Sequence, residues 1–201
     1  MATDGETVAE AIARFEREPA ARREAAAAAG RPWVEPLDLG VTWNAGAPMP
    51  HLVVGPHRAF VICYPRDSEN LRALGGWGES EGRPVTSGDE EALLVVEIVG
   101  CSEVRWGGPN DEAQHGHPLA GSGLSGYGPF EVHNSAWIEH SRQVNSVHEY
   151  HSDDVFRSRR HFILAFHDEM IETQARRLDI EVRHSTMRDL LTELAVRVTE
   201  S

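Results

Sequence analysis

Short apolar stretches alternate with polar segments in the middle of the chain and predict β-strands. The strongest, residues 92–106 (ALLVVEIVGCSEVRW), is rich in β-branched residues and too continuously apolar for a surface strand. Further strands are predicted at residues 59–64, 130–135, 161–167, 169–175 and 178–183. Because residues 169–175 follow 161–167 across a single Asp168, we expect these two strands to pair antiparallel.

The first part of the chain shows a helical pattern followed by a loop-rich region. Residues 6–29 carry apolar side chains at helical spacing, with Pro19 interrupting the pattern and Gly30 as a stop signal. Residues 31–57 contain many prolines and glycines, which predicts extended and irregular backbone. Residues 75–91 are polar and glycine-rich, and we interpret them as a long hairpin loop.

Two further helices are predicted after the strands begin. Ser135 is a suitable cap for a helix to about residue 149, with Trp137, Val144 and Val147 on its buried side. Ser185 would cap a last amphipathic helix. The apolar face of that last helix is formed by Leu190, Leu191, Leu194 and Val198.

Strand runs separated by isolated helices, without regular βαβ alternation, predict an α+β fold. We expect a mostly antiparallel sheet with a mid-chain helix, a C-terminal helix and an N-terminal outer helix. Residues 1–30 would form an N-terminal helical arm, and residues 31–201 a single α+β domain.

The net charge of -13 disfavours several classes of binding partner. Nucleic acids are bound by clustered Lys and Arg, so this charge argues against them, and it also disfavours anionic membranes. No apolar run is long enough to span a bilayer, and no signal segment is visible. Cys63 and Cys101 lie in apolar stretches, which favours reduced thiols. We therefore expect a cytoplasmic protein, with homo-oligomer formation left open.

The chain lacks residues and motifs that several kinds of active site require. All 19 basic residues are Arg, so lysine-anchored pyridoxal phosphate and a lysine-containing P-loop are excluded. No G-x-S-x-G motif occurs, and neither cysteine has a catalytic setting. The glycines of residues 121–128 (GSGLSGYG) do not lie between a strong strand and a helix of a βαβ unit, which argues against a dinucleotide site.

The first candidate site is residues 107–119 (GGPNDEAQHGHPL), which cannot build a core. In an extended segment His115 and His117 would point to the same side and could bind one divalent metal ion: zinc, iron or manganese. Glu112 lies close enough in sequence to act as a general base. The alternative is a polar loop with solvated histidines and turn-forming Asp and Asn.

The second candidate is the mid-chain helix, which carries several histidines. His140 and His148 share the side that we expect to pack inward, and His151 follows about one turn after His148. His148 is a candidate acid–base group. The alternative is that the helix dipole alone favours imidazolium at this C-terminal end.

The third candidate is the strand at residues 161–167. His161 and His167 share one face with small apolar residues, while the Phe and Leu side chains form the opposite core face. The histidine face therefore resembles the floor of a pocket. Asp168 and Glu172 are placed to pair with these rings and fix their tautomers. The alternative is that His167 and Asp168 only form a hairpin turn.

Four segments together carry a resemblance: GGPNDEAQHGHPL, EVHNSAWI, NSVHEYH and RRHFILAFHD. Their combination is similar to a family of small soluble bacterial proteins, over roughly residues 42–175. No activity is attached to that family, so the resemblance implies no function and no site residues.

These observations favour a small soluble enzyme that acts on a small molecule by histidine–carboxylate acid–base chemistry, with or without a metal. The expected catalytic residues are Glu112, His148, His167 and Asp168, and the expected metal ligands are His115 and His117. Hydrolysis, decarboxylation and isomerisation all fit, so a hydrolase, a lyase and an isomerase remain open. The alternative is a non-catalytic acidic module that binds a basic protein surface.

Overall fold

The computed structural model describes residues 8–66 and 86–200. The helices of these ranges are α1 (Val8–Ala28), α2 (Ala136–Asn145), α3 (Asp153–Arg157) and α4 (Met187–Arg197). The strands are β1 (Trp33–Pro36), β2 (His51–Val54), β3 (Arg58–Cys63), β4 (Glu90–Val99), β5 (Glu103–Gly107), β6 (Gly128–His133), β7 (Arg160–Ala165), β8 (Met170–Ala175) and β9 (Arg177–Thr186). Most of the hairpin loop expected at residues 75–91 lies outside the described residues.

The strands form two antiparallel sheets, which confirms the α+β prediction. One sheet has five strands in the order β1-β6-β7-β8-β5, and the other has four in the order β2-β3-β4-β9. β7 and β8 pair antiparallel as expected. The apolar run at residues 92–106 divides into two strands that belong to different sheets. Gly100, at a φ of 67°, lies at this break and permits the left-handed turn.

The two sheets enclose the main hydrophobic core between them. Phe162 and Leu164 of β7, with Phe166 just after it, pack with Val61 and Val96 of the other sheet, and all five are nearly fully buried. This alternation explains why the opposite face of β7 is available for other contacts. Side chains that point out of the core along β7 begin with His161.

Each sheet is also covered on its outer face. Helix α4 packs Leu190 and Leu194 against the four-stranded sheet, and Thr186 rather than the expected Ser185 caps it by accepting from the Asp189 amide. Helix α1 contacts β1 and a 3₁₀ helix at Ala120–Ser122, on the side of the five-stranded sheet. The division of the chain at residue 30 stays a prediction.

Helix α2 is shorter than the pattern indicated. It ends at Asn145, and Val144 and Val147 are 61% and 91% exposed, so the expectation that they lie on the buried side is wrong. Trp137 is the buried anchor of this helix, and His140 is exposed. At the helix end, the amide and the hydroxyl of Ser146 both donate to the carbonyl of Gln143 and close a turn.

Candidate functional site

The outer face of the five-stranded sheet is apolar at one end and polar at the other. Val34 and Val132 of β1 and β6 lie beside His161 of β7, and His161 pairs across the strands with Gln174 of β8. Two residues further along β7, Ile163 pairs across the strands with Glu172 of β8. Glu172 in turn pairs with Arg105 of the edge strand β5. The side-chain chemistry therefore changes from apolar to polar across one continuous surface.

A cleft of about 550 Å³ lies over this polar end. Its walls come from the loop between β5 and β6 and from the first turn of α2. Most of the lining is apolar, and the polar groups lie at its floor and at the start of α2. The apolar lining residues include Pro109, Pro118, Leu119, Val132 and Trp137, and the polar ones are Arg105, His117, Ser135, His161 and Glu172. A mostly apolar cleft with a few convergent polar groups is the usual form of a small-molecule site.

Two histidines meet on one carboxylate at the floor. His161 Nε2 lies 3.0 Å from Glu172 Oε2, and His117 Nε2 lies 3.6 Å from Glu172 Oε1. The side chains of His117 and His161 are only 9% and 5% exposed. The loop at residues 107–119 and strand β7 therefore do converge, with Glu172 rather than Asp168 as their common partner.

Hydrogen bonds to the ring nitrogens assign the tautomers of His117 and His161. His117 Nδ1 accepts the amide of Leu119 at 3.2 Å, so the ring proton of neutral His117 is on Nε2. His161 Nε2 faces a carboxylate, which only accepts hydrogen bonds when ionised, so its proton is also on Nε2. Both rings thus present an N–H to Glu172.

The pKa of Glu172 is consistent with a permanently ionised carboxylate. Burial by itself raises this pKa, but pairing with His117 and His161 outweighs burial and lowers it to about 2. A group with this pKa is a charge that orients and stabilises the rings at neutral pH, and it is not itself the acid that gives up a proton.

Ser135 extends the chain of hydrogen bonds on the far side of His161. Its Oγ lies 2.9 Å from His161 Nδ1 and accepts the amide of Ile138 at 3.2 Å. Ser135 is 9% exposed and lines the cleft at the start of α2. The predicted helix cap is confirmed, and the same hydroxyl has a second partner that the sequence pattern did not indicate.

Trp137 holds the wall of the cleft against the sheet. Its ring lies edge-on to His161, with centroids 5.1 Å apart, and its Nε1–H donates to Glu103 at 2.9 Å. Ser141 also donates to Glu103, at 2.8 Å, and accepts from the buried Gln174. These contacts fix α2, and with it Ser135, relative to strands β5, β7 and β8.

Arg105 supplies a positive charge at the cleft. Its guanidinium carbon lies 3.8 Å from the centroid of the Trp137 ring, which is a close cation–π contact. Although Glu172 is its cross-strand neighbour, no carboxylate among the described residues forms an ion pair with Arg105. The guanidinium donors therefore remain available to a negatively charged ligand.

The segment with His115 and His117 is not extended. A 3₁₀ helix at Gln114–Gly116 directs the two rings differently, and His115 is exposed while His117 enters the cleft. The strand-like geometry expected to aim both rings at one metal ion is therefore wrong. Within residues 8–66 and 86–200, no three His, Cys, Asp or Glu side chains are arranged to bind a metal ion. A metal role for His115 and His117 stays a prediction.

His167 and Asp168 belong to a separate cluster at the surface. His167 Nδ1 lies 2.8 Å from Asp168, its Nε2 lies 3.8 Å from Asp111, and the Tyr127 hydroxyl donates to Asp111. The hydrogen bond with Asp168 and the charge of Asp111 raise the pKa of His167. This cluster is exposed, and Glu112 beside it is exposed as well. Of the expected groups, only His117 lines the cleft, and the catalytic roles of Glu112, His167 and Asp168 stay predictions.

His148 lies apart from both clusters. It is exposed on the turn after α2, where its Nδ1 accepts the amide of Tyr150 at 3.1 Å. His151 is paired with Asn145 and Asp153, 3.0 Å from each. These contacts stabilise the connection between α2 and α3, and a catalytic role for His148 stays a prediction without a structural contact to support it.

Comparison with known proteins adds no information on function. No protein-family model, curated protein or solved structure matches the chain. None of the helices formed by the described residues has the length and apolar composition needed to cross a bilayer.

The cleft contains three groups that the sequence patterns did not place in a site: Ser135, Arg105 and Trp137. Ser135 carried only the signal of a helix cap. Glu172 had a usable signal, because a carboxylate between buried residues of a central strand needs a partner. Its pairing with histidine was expected, and the structure shows that it is the centre of the cluster.

Proposed function

We propose that the cleft is the active site of an enzyme that acts on a small molecule by histidine–carboxylate acid–base chemistry. The observation that carries this proposal is the meeting of His117 and His161 on one ionised Glu172 at the floor of an apolar cleft. Buried ionisable groups are costly to maintain, and their concentration in a cavity favours a functional over a structural reason.

The histidines have different roles in this proposal. His161 is held from both sides by Ser135 and Glu172, so its Nδ1 acts as a base toward a proton presented on the Ser135 side. His117 Nε2 is 3.6 Å from Glu172, which exceeds a normal hydrogen bond, so its proton is less firmly committed to the carboxylate. His117 therefore acts as the proton donor to the substrate.

The residues that line the cleft indicate the class of substrate. Arg105 favours a carboxylate or phosphate group, and the prolines, Leu119 and Trp137 favour a small apolar body. The carboxylate of Glu172 faces the ring N–H groups of His117 and His161, and Arg105 supplies the positive charge that attracts such an anion. We expect a small anionic substrate bound with its charged group toward Arg105.

A screen by proton NMR tests the proposal even though the reaction is not identified. Mixtures of small carboxylic acids, their esters and phosphate esters are incubated with the protein, first for binding and then for changes in the ligand spectra. The proposal predicts turnover of a small anionic compound that Glu172→Gln lowers about 100-fold or more, the usual contribution of acid–base groups.

Glu35→Gln is the matched control, since Glu35 also pairs with a histidine, His133, at 3.2 Å, but outside the cleft. It should retain the activity of the unchanged protein. Turnover that survives Glu172→Gln, or the absence of binding and turnover across the whole panel, would contradict the proposal. A complex with a basic protein that is lost at high salt would instead favour the non-catalytic alternative.

A further inference from the structure

We infer that Ser135 is the nucleophile of the cleft and that its substrates are small carboxylic esters that also carry an anionic group. The inference rests on the proposed function and makes its reaction specific: ester hydrolysis through an acyl-enzyme. It depends on the hydrogen-bonded chain from Ser135 through His161 to Glu172, with successive separations of 2.9 and 3.0 Å.

The direction of the Ser135 proton is set by its neighbours. Ser135 Oγ already accepts the Ile138 amide, and His161 Nδ1 carries no proton because the ring proton is on Nε2. The hydroxyl therefore donates to Nδ1. This is the arrangement that makes a serine nucleophilic, because the proton has an acceptor as the oxygen attacks.

Glu172 has the role of the carboxylate in a serine–histidine–carboxylate triad. It holds the His161 ring and stabilises the imidazolium that forms when the ring takes the serine proton. In the usual Ser-His-Asp template the serine contacts Nε2 and the carboxylate contacts Nδ1. Here the two nitrogens exchange roles, and because either nitrogen with a free lone pair can act as the base, the chemistry is retained.

The start of α2 offers donors for the negative charge of the intermediate. The first amides of a helix have no acceptor within the helix, and here those of Ala136 and Trp137 follow directly after Ser135. Both residues line the cleft. Ser135 itself follows a sharp turn at Asn134, with a φ of 52°, between β6 and α2. A nucleophile on a strand-to-helix turn next to free amides is the arrangement that an oxyanion requires.

The reaction balances with water as the only co-substrate. Ser135 Oγ attacks the ester carbonyl carbon while its proton moves to His161 Nδ1. The bond between that carbon and the alcohol oxygen then breaks, and the alcohol leaves with the proton from Nδ1. Water adds to the acyl-serine in the same way, and the acid leaves as Ser135 regains its proton.

A fluorophosphonate reagent tests the inference directly. In the adduct, Ser135 Oγ bonds to phosphorus, fluoride leaves, and the serine proton passes to His161. We expect a single adduct by intact mass, placed on Ser135 by peptide mapping, with Glu172→Gln slowing its formation about 100-fold or more. Ser146→Ala, at an exposed serine just after α2, should label like the unchanged protein.

The outcomes separate this inference from the proposed function. The absence of an adduct, an adduct at another residue, or equal labelling of Ser135→Ala would overturn the role of Ser135. Mapping on the unchanged protein is decisive even if Ser135→Ala folds poorly. If Ser135 is not labelled but Glu172 is still required for turnover in the NMR screen, the inference fails and the proposed function stands. If neither result is obtained, both fail.

Discussion

Replacing Glu172 by Gln should destabilise the protein, and the structure gives the size of the effect. The variant removes the charge shared by His117 and His161, and an amide presents an N–H to at least one ring N–H. Lowering the pKa from 4.5 to about 2 corresponds to at most about 3 kcal/mol of stabilisation. Solvent reaches the side chain, which is 20% exposed, and screens part of this, so we expect a loss of about 2 kcal/mol.

The pH dependence of this loss follows from the sign of the shift. A carboxyl whose pKa is lowered by folding stabilises the protein fully above its unfolded pKa, and that contribution disappears as the pH falls through the folded value. The gap between the unchanged protein and Glu172→Gln should therefore be complete at about pH 6 and roughly half as large at about pH 3.

Urea unfolding of both proteins at the two pH values measures the gap. Glu35→Gln serves as the control, because its carboxylate is 48% exposed and should contribute less than about 1 kcal/mol. A gap below about 0.5 kcal/mol at the higher pH, or one that grows on acidification, would refute the claim that an ionised Glu172 stabilises the two rings.

Four other predictions concern the cleft, the packing of buried and exposed residues, and the His167 cluster. Arg105→Gln should raise KM for an anionic substrate about tenfold or more with little change in kcat, and an equal rise for an uncharged analogue would contradict anion binding. Trp137→Phe removes the hydrogen bond to Glu103 and should lower the free energy of unfolding by about 2 kcal/mol in urea titrations, whereas a neutral effect would argue against that bond. Val147→Ser should change stability by less than about 0.5 kcal/mol while Leu194→Ala costs about 2–5 kcal/mol, and the reverse order would contradict the observed exposure of Val147 and burial of Leu194. The pKa of His167, followed by NMR, should lie above its ordinary value, so that its small contribution to stability is present below that value and lost as the pH rises through the folded pKa; a lowered pKa would exclude the pairing with its carboxylate neighbours.

Much of the fold was predictable because its strands are strongly patterned. In residues 161–175 each side chain alternates between the inter-sheet core and the outer face, so the pattern alone indicates both the hairpin and the position of His161. The C-terminal helix was predictable for the same reason, since Leu190 and Leu194 repeat at helical spacing.

The errors arise where the pattern of apolar residues carries no information about chain direction. Val144 and Val147 continue the helical spacing set by Trp137, but the backbone turns after Asn145 and leaves them exposed. In the loop, strand geometry does not apply to His115 and His117, because the glycines and prolines around them permit a 3₁₀ turn that separates the rings.

The site itself depends on contacts between distant segments. Ser135, His161 and Glu172 come from the start of α2, from β7 and from β8, and only the register of the five-stranded sheet and the docking of α2 bring them together. Sequence alone indicated which face of β7 would be polar. It could not show that a helix cap would also contact His161, because capping is a sufficient local reason for a serine.

The central claim is that the Nε2–H groups of two histidines face one ionised carboxylate at the floor of the cleft. Nitrogen-15 NMR of the histidine rings at neutral pH tests it without any substrate. We expect that His117 and His161 both carry their proton on Nε2, and that Glu172→Gln changes the signals of both rings while Glu35→Gln changes neither. A proton on Nδ1 of His161, or signals of both rings that are unaffected by Glu172→Gln, would contradict it.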